Sequence, residues 1–105
     1  MPKFLVTYHG GSGVPSDPAA ARMMRDAFAS WASSVGAALV DPGGPLGLAR
    51  TVSPTGTTDG QAVAEIGGYS MVEAAGVAEA AALVTGHPYI GRGGTLEVSE
   101  VIDLG

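Results

Sequence analysis

Within Gly86-His87-Pro88-Tyr89-Ile90-Gly91-Arg92-Gly93-Gly94, a histidine, a tyrosine and an arginine fall close together on a glycine-rich stretch. An imidazole beside a carboxylate moves protons near neutral pH. A guanidinium holds an anionic substrate group or a developing oxyanion, and a phenol donates a hydrogen bond. Glycine-rich corners cost backbone entropy and bury little, so this one reads as a site more than as core. The candidate acid/base is His87, with Asp41 or His9 as its partner and Glu97 or Asp59 as substitute carboxylates. Arg92 and Tyr89 are the candidate substrate-binding residues.

Each of these has a plainer explanation. His87 follows a helix-ending glycine, where it would hydrogen-bond the last helix carbonyls. Asp41 before Pro42-Gly43 is a common turn residue, and the turn is the favoured reading. His9 is an ordinary polar strand end, and Arg92 would serve equally in a salt bridge across a dimer.

Alternation of Phe4, Val6 and Tyr8 with Lys3, Leu5, Thr7 and His9 predicts a first strand over Pro2 to His9. Asp17-Pro18 is a helix start, and Met24, Phe28, Trp31 and Val35 draw one apolar stripe that Gly36 ends. Trp31 is expected in the core, and Tyr8 and Tyr69 in core or interface with their hydroxyls reaching water. A short strand over Ala37 to Asp41 is broken by Pro42-Gly43-Gly44-Pro45. Leu48 to Val52 is an irregular extension or extra hairpin arm, and Pro54 to Gly60 is loop. Ile66 to Glu73 is the next strand. A helix follows from about Gly76 to Thr85, with Val77, Ala80, Ala81 and Val84 on one face. Thr95 to Leu104 is the last strand, with Glu100 unexplained on its apolar side unless it lies near an edge.

The pattern is β-α-β-β-α-β, an α+β ferredoxin-like domain over residues 1–105. Right-handed crossovers give an antiparallel sheet in strand order 4-1-3-2 with both helices on one face. That topology brings the ends of His9 and Asp41 and the His87 to Arg92 corner to one edge of the sheet. Leu5, Thr7, Tyr69 and Met71 then line the other face, which is too apolar for comfortable exposure.

Hydrophobic residues make up 46% of the chain and charged residues 14%, a balance that favours a homodimer hiding apolar area. The net charge of -5 argues against nucleic-acid binding, which needs clustered Lys and Arg. There are no cysteines, which excludes disulfides and thiolate chemistry. The two histidines and scattered carboxylates have no metal-ligand spacing, and neither metal nor cofactor is expected. Gly10-Gly11-Ser12-Gly13 lacks the lysine of a phosphate loop and is expected to be a flexible connector; Ser12 has no nucleophile-elbow context. No apolar run reaches the length of a bilayer span or of a signal peptide, so a cytoplasmic protein is expected.

Lys3-Phe4-Leu5-Val6-Thr7-Tyr8-His9, Ala38-Leu39-Val40-Asp41-Pro42-Gly43, Gly67-Gly68-Tyr69-Ser70-Met71-Val72-Glu73-Ala74 and Gly86-His87-Pro88-Tyr89 through Val98 occur in order along nearly the whole chain. Together they resemble the YCII-related family and its DGPF-type relatives in the dimeric α/β-barrel group. The resemblance implies a ferredoxin-like protomer whose sheet pairs with that of a second copy, and a cleft in each protomer. It also implies small-molecule chemistry in a few relatives, on ring compounds, and regulatory roles in others. The family's helix histidine has no counterpart between Pro18 and Val35, so its paired acid/base does not carry over. The DGPF signature is reduced to Asp59-Gly60, followed by Gln61-Ala62. Two functions compete: a small-molecule enzyme using His87, and a non-catalytic ligand-binding or regulatory dimer using the same cleft. A structural dimer with a vestigial site is a third.

Overall fold

The computed structural model describes residues 1–11, 13–61 and 65–105. Ser12 of the glycine-rich connector and Ala62 beside the reduced signature lie outside the described residues. In chain order the elements are β1 (Lys3–Gly10), α1 (Pro18–Val35), a 3-10 turn (Gly36–Ala38), β2 (Leu39–Pro45), β3 (Arg50–Ser53) and β4 (Gly56–Asp59). They continue with β5 (Ile66–Glu73), α2 (Val77–Val84), α3 (Pro88–Gly91) and β6 (Gly94–Glu100). The fold is mixed α+β, with a four-stranded antiparallel sheet in the order β2-β5-β1-β6. Strands β3 and β4 form a separate two-stranded arm.

Local chemistry sets the elements. The Asp17 carboxylate caps α1 by accepting from the Ala20 N–H at 3.0 Å, and Pro18 occupies the first turn. Gly36 ends the helix at φ 67°, where a side chain would be strained. Pleating along β1 then sends Phe4, Val6 and Tyr8 into one face, where Trp31 of α1, Val72 of β5 and Ala80 and Val84 of α2 close over them. The Trp31 indole donates to the Leu83 carbonyl at 3.0 Å and so ties α1 to α2. Leu5, Thr7 and His9 take the opposite face, where Leu5 faces Met71 and Thr7 faces Tyr69 across the β1–β5 ladder. All of these are half-buried.

Several boundaries differ from the sequence expectation. β2 does not break at Pro42. It runs to Pro45 as an edge strand, with register shifts on either side of Asp41 that absorb the proline and the glycines. Gly43 sits at φ 64°, and a Cβ there would overlap the Tyr69 carbonyl. Most of the expected Pro54 to Gly60 loop is β4, Gly56–Asp59. The face of α2 is turned: Ala80 and Val84 are buried with Leu83 against them, whereas Val77 and Ala81 are exposed. β6 stops at Glu100, which places that residue at the end of an edge strand and accounts for its charge. Among the described residues no helix is long and apolar enough to cross a membrane.

Candidate functional site

His87 is 3% exposed, so the corner that carries it is not a solvent-facing loop. It lies in an aromatic cage: its ring centroid is 4.4 Å from Trp31, 4.7 Å from Tyr8 and 5.7 Å from Phe28. The sequence reading missed α3. Pro88 fixes its first turn, and the His87 side chain caps it by accepting the Tyr89 N–H on Nδ1 at 3.0 Å. The His87 backbone N–H does donate to the Val84 carbonyl of the preceding helix at 3.0 Å, as expected, while its side chain caps the following one.

Proton positions in the surrounding network follow from both of its ends. Nδ1 accepts from the Tyr89 backbone, so the neutral imidazole carries its proton on Nε2 and donates it to the Tyr8 hydroxyl at 2.9 Å. At the far end the Ser70 hydroxyl donates to the Pro42 carbonyl at 2.8 Å. Its single proton is thereby used, and Tyr8 must donate to Ser70. The directed chain His87 to Tyr8 to Ser70 to Pro42 crosses from the α3 corner, through β1 and β5, to β2. Every member is satisfied, as buried polar groups require.

Electrostatics agree with that assignment. Burial first, and the Arg92 charge second, lower the His87 pKa from 6.5 to about 4. Burial raises the Tyr8 pKa above its ordinary value, against the opposing pull of the Ser70 hydrogen bond and of Arg92. Both groups are neutral at pH 7.

Beside this network lies a cleft of about 660 Å³, walled by α1, the glycine-rich segments after β1 and in β2, and the α3 corner. Tyr8, His87, Tyr89 and Arg92 reach it, together with Met24 and Phe28 of the α1 stripe. The Tyr89 ring is buried, and its hydroxyl donates to the Gly10 carbonyl. A Cβ at Gly94 would overlap that ring, which explains one glycine of the corner. The Arg92 guanidinium lies over the same ring, with Cζ 5.3 Å from its centroid.

The expected partners of His87 are elsewhere. Asp41 accepts the Gly43 N–H at 2.9 Å, the turn role that its sequence favoured, and it does not line the cleft. His9 is one residue from Tyr8 and therefore points to the other face, where its Nε2 lies 3.0 Å from Glu97 and 2.8 Å from the Thr7 hydroxyl. Asp59 pairs with Arg50 at 3.4 Å within the arm. His9 ends β1 opposite Ile66, whereas Asp41 lies within β2 opposite Met71, so the two do not meet at one edge of the sheet, and pleating turns His9 away from the cleft. Among the described residues no cluster of three or more His, Asp or Glu side chains is placed to hold a metal.

Comparison of the chain with protein-family models, with curated proteins and with solved structures finds no match. The site is therefore read from its own chemistry. Sequence reasoning missed Tyr8 and Ser70 as its centre and expected the Tyr8 hydroxyl to reach water. One signal was readable: Ser70 shares the strand phase of Gly68 and Val72, and a hydroxyl on a buried face needs a partner on a neighbouring strand.

Proposed function

We propose that this chain is a YCII-related protein of ferredoxin-like fold that works as a non-catalytic small-molecule-binding homodimer, its ligand held in the cleft beside His87. The observation that carries this reading is the full commitment of both imidazole nitrogens, Nδ1 as acceptor and Nε2 as donor. A general base needs a free lone pair and a pKa near the working pH. His87 offers neither, so the enzymatic alternative requires the network to come apart. A closed polar network instead makes a rigid floor for a pocket, and the cleft volume falls in the usual range of ~300–1,000 Å³ for ligand sites. The aromatic and aliphatic lining supplies affinity for an apolar body.

What supports the dimer is the slab-like shape of the protomer, 45 × 43 × 19 Å, with helices on one sheet face and half-buried Leu5, Tyr69 and Met71 on the other. In the proposed dimeric α/β barrel a second copy's sheet covers that face and buries more than ~1,200 Å². Sedimentation at micromolar concentration should give twice the protomer mass, and a stable monomer would remove the dimer. For the cleft, an NMR screen of small apolar compounds should find shift changes at Met24, Phe28 and Gly67. Ala21→Trp, which fills the cleft wall, should abolish them. Hits that bind this variant unchanged would place the ligand elsewhere.

A further inference from the structure

The cleft has the opposite sign to the chain. The molecule carries a net charge of -5 with only five basic residues, yet two of them, Arg25 and Arg92, line this one cleft. Glu65 is the single acidic residue of the lining, and among the described residues it lies within ion-pair distance of neither arginine. Arg92 is the more telling of the two. Among the described residues its Nε has no hydrogen-bond partner, so no protein acceptor holds that edge of the guanidinium. The His87 imidazole, which feels the Arg92 charge, cannot supply one, because its Nδ1 lone pair is taken by the Tyr89 N–H. The Tyr89 ring orients the guanidinium from below, and the Tyr89 hydroxyl is fixed on Gly10.

We infer that the ligand of the cleft is a small apolar monocarboxylate, its carboxylate gripped by the Arg92 fork with Arg25 at the mouth, and its apolar body packed on Tyr8, Met24, Phe28 and Ile66. This rests on the binding function proposed above and narrows it to one ligand class. A planar guanidinium matches a carboxylate with two parallel hydrogen bonds, and stacking on an aromatic ring pre-organises it for that contact. The largely apolar wall disfavours a free phosphate or a polyanion, whose remaining oxygens would find no donors there. The same positive charge contributes to the low pKa of His87, which keeps a second cation from forming beside Arg92.

The test compares phenylacetate with its neutral analogue phenylacetamide, and with inorganic phosphate, by NMR titration of the wild-type protein at low ionic strength. Phenylacetate should bind ~10–100-fold more tightly than the amide, the range expected of a charge-assisted pair. Arg92→Gln should bring the ratio of the two affinities to about one. Arg92→Lys, which keeps the charge without the fork, should retain part of the preference and guards against a folding defect in the first variant. Equal binding of acid and amide, or a ratio indifferent to Arg92→Gln, would overturn the carboxylate assignment and leave the cleft as a binding site. Phosphate binding as tightly as phenylacetate would also overturn it, since no apolar body would then be recognised. Failure of all three probes to bind would count against both the assignment and the proposed function.

Discussion

Tyr8 and His9 are neighbours on β1, yet they enter two environments that treat a polar side chain in opposite ways. On the helix-covered face the Tyr8 hydroxyl joins His87, Ser70 and the Pro42 carbonyl in a buried chain. On the open face His9 meets Glu97 and Thr7, and the Glu97 side chain is 67% exposed. The first histidine has lost water and holds its proton in a fixed place; the second lies against a largely exposed carboxylate. Burial decides the chemistry here, and residue type does not. A histidine beside a carboxylate is the textual signature of acid/base work, but the pair that this chain forms is on the wrong face for its cleft.

That contrast can be broken most forcefully at the cage wall. Trp31→Ala should lower stability by ~3–5 kcal/mol in urea denaturation, because it opens a cavity against His87 and frees the Leu83 carbonyl. A change below ~1 kcal/mol would mean that the two helices are not packed as described. The next largest effect concerns pH. The folded-state pKa of His87, about 4, lies below the unfolded value of 6.5, so the unfolded chain binds more protons between them. Stability from this group is therefore fully present above pH 6.5 and is lost as pH falls toward about 4, by no more than ~3 kcal/mol. Denaturation midpoints measured across that window should fall in the wild type, and His87→Gln should remove this component of the slope.

Tyr8→Phe sharpens the comparison further. It deletes the hydroxyl between His87 and Ser70 while keeping the ring, and should cost ~1–3 kcal/mol by leaving the buried Nε2–H without an acceptor. On the other face, at dilutions where protomers are separate, His9→Ala should cost less than ~1 kcal/mol, the usual worth of a contact with an exposed carboxylate. At concentrations that favour association the loss should be larger if the proposed dimer covers this face, and an unchanged loss would count against that dimer.

Much of this was legible in the chain. The apolar phase of β1, the Asp17-Pro18 start, the Met24 to Val35 stripe and the bounds of β5 all followed from periodicity and capping, which are local. The α3 turn was not, because four residues are too few for a periodic pattern and its cap is a histidine instead of the usual Ser, Thr, Asp or Asn. The continuation of β2 through Pro42 depended on its being an edge strand, which only the assembled sheet decides. For the site, His87, Tyr89 and Arg92 all line the cleft, whereas partners for His87 were sought among carboxylates expected at the same edge. Asp41 is not at that edge, because β2 runs on past it to Pro45. Pleating at His9 and the turn at Asp41 decided where the side chains went.

The protonation state of His87 decides between a locked network and an acid/base, and its most direct test is the long-range ¹H–¹⁵N spectrum of the imidazole followed from pH 8 to pH 5. The expected result is a neutral ring with the proton on Nε2 throughout, unresponsive until the pH nears 4. A ring that titrates near its ordinary 6.5, or that carries its proton on Nδ1, would contradict the locked network and return His87 to the acid/base role.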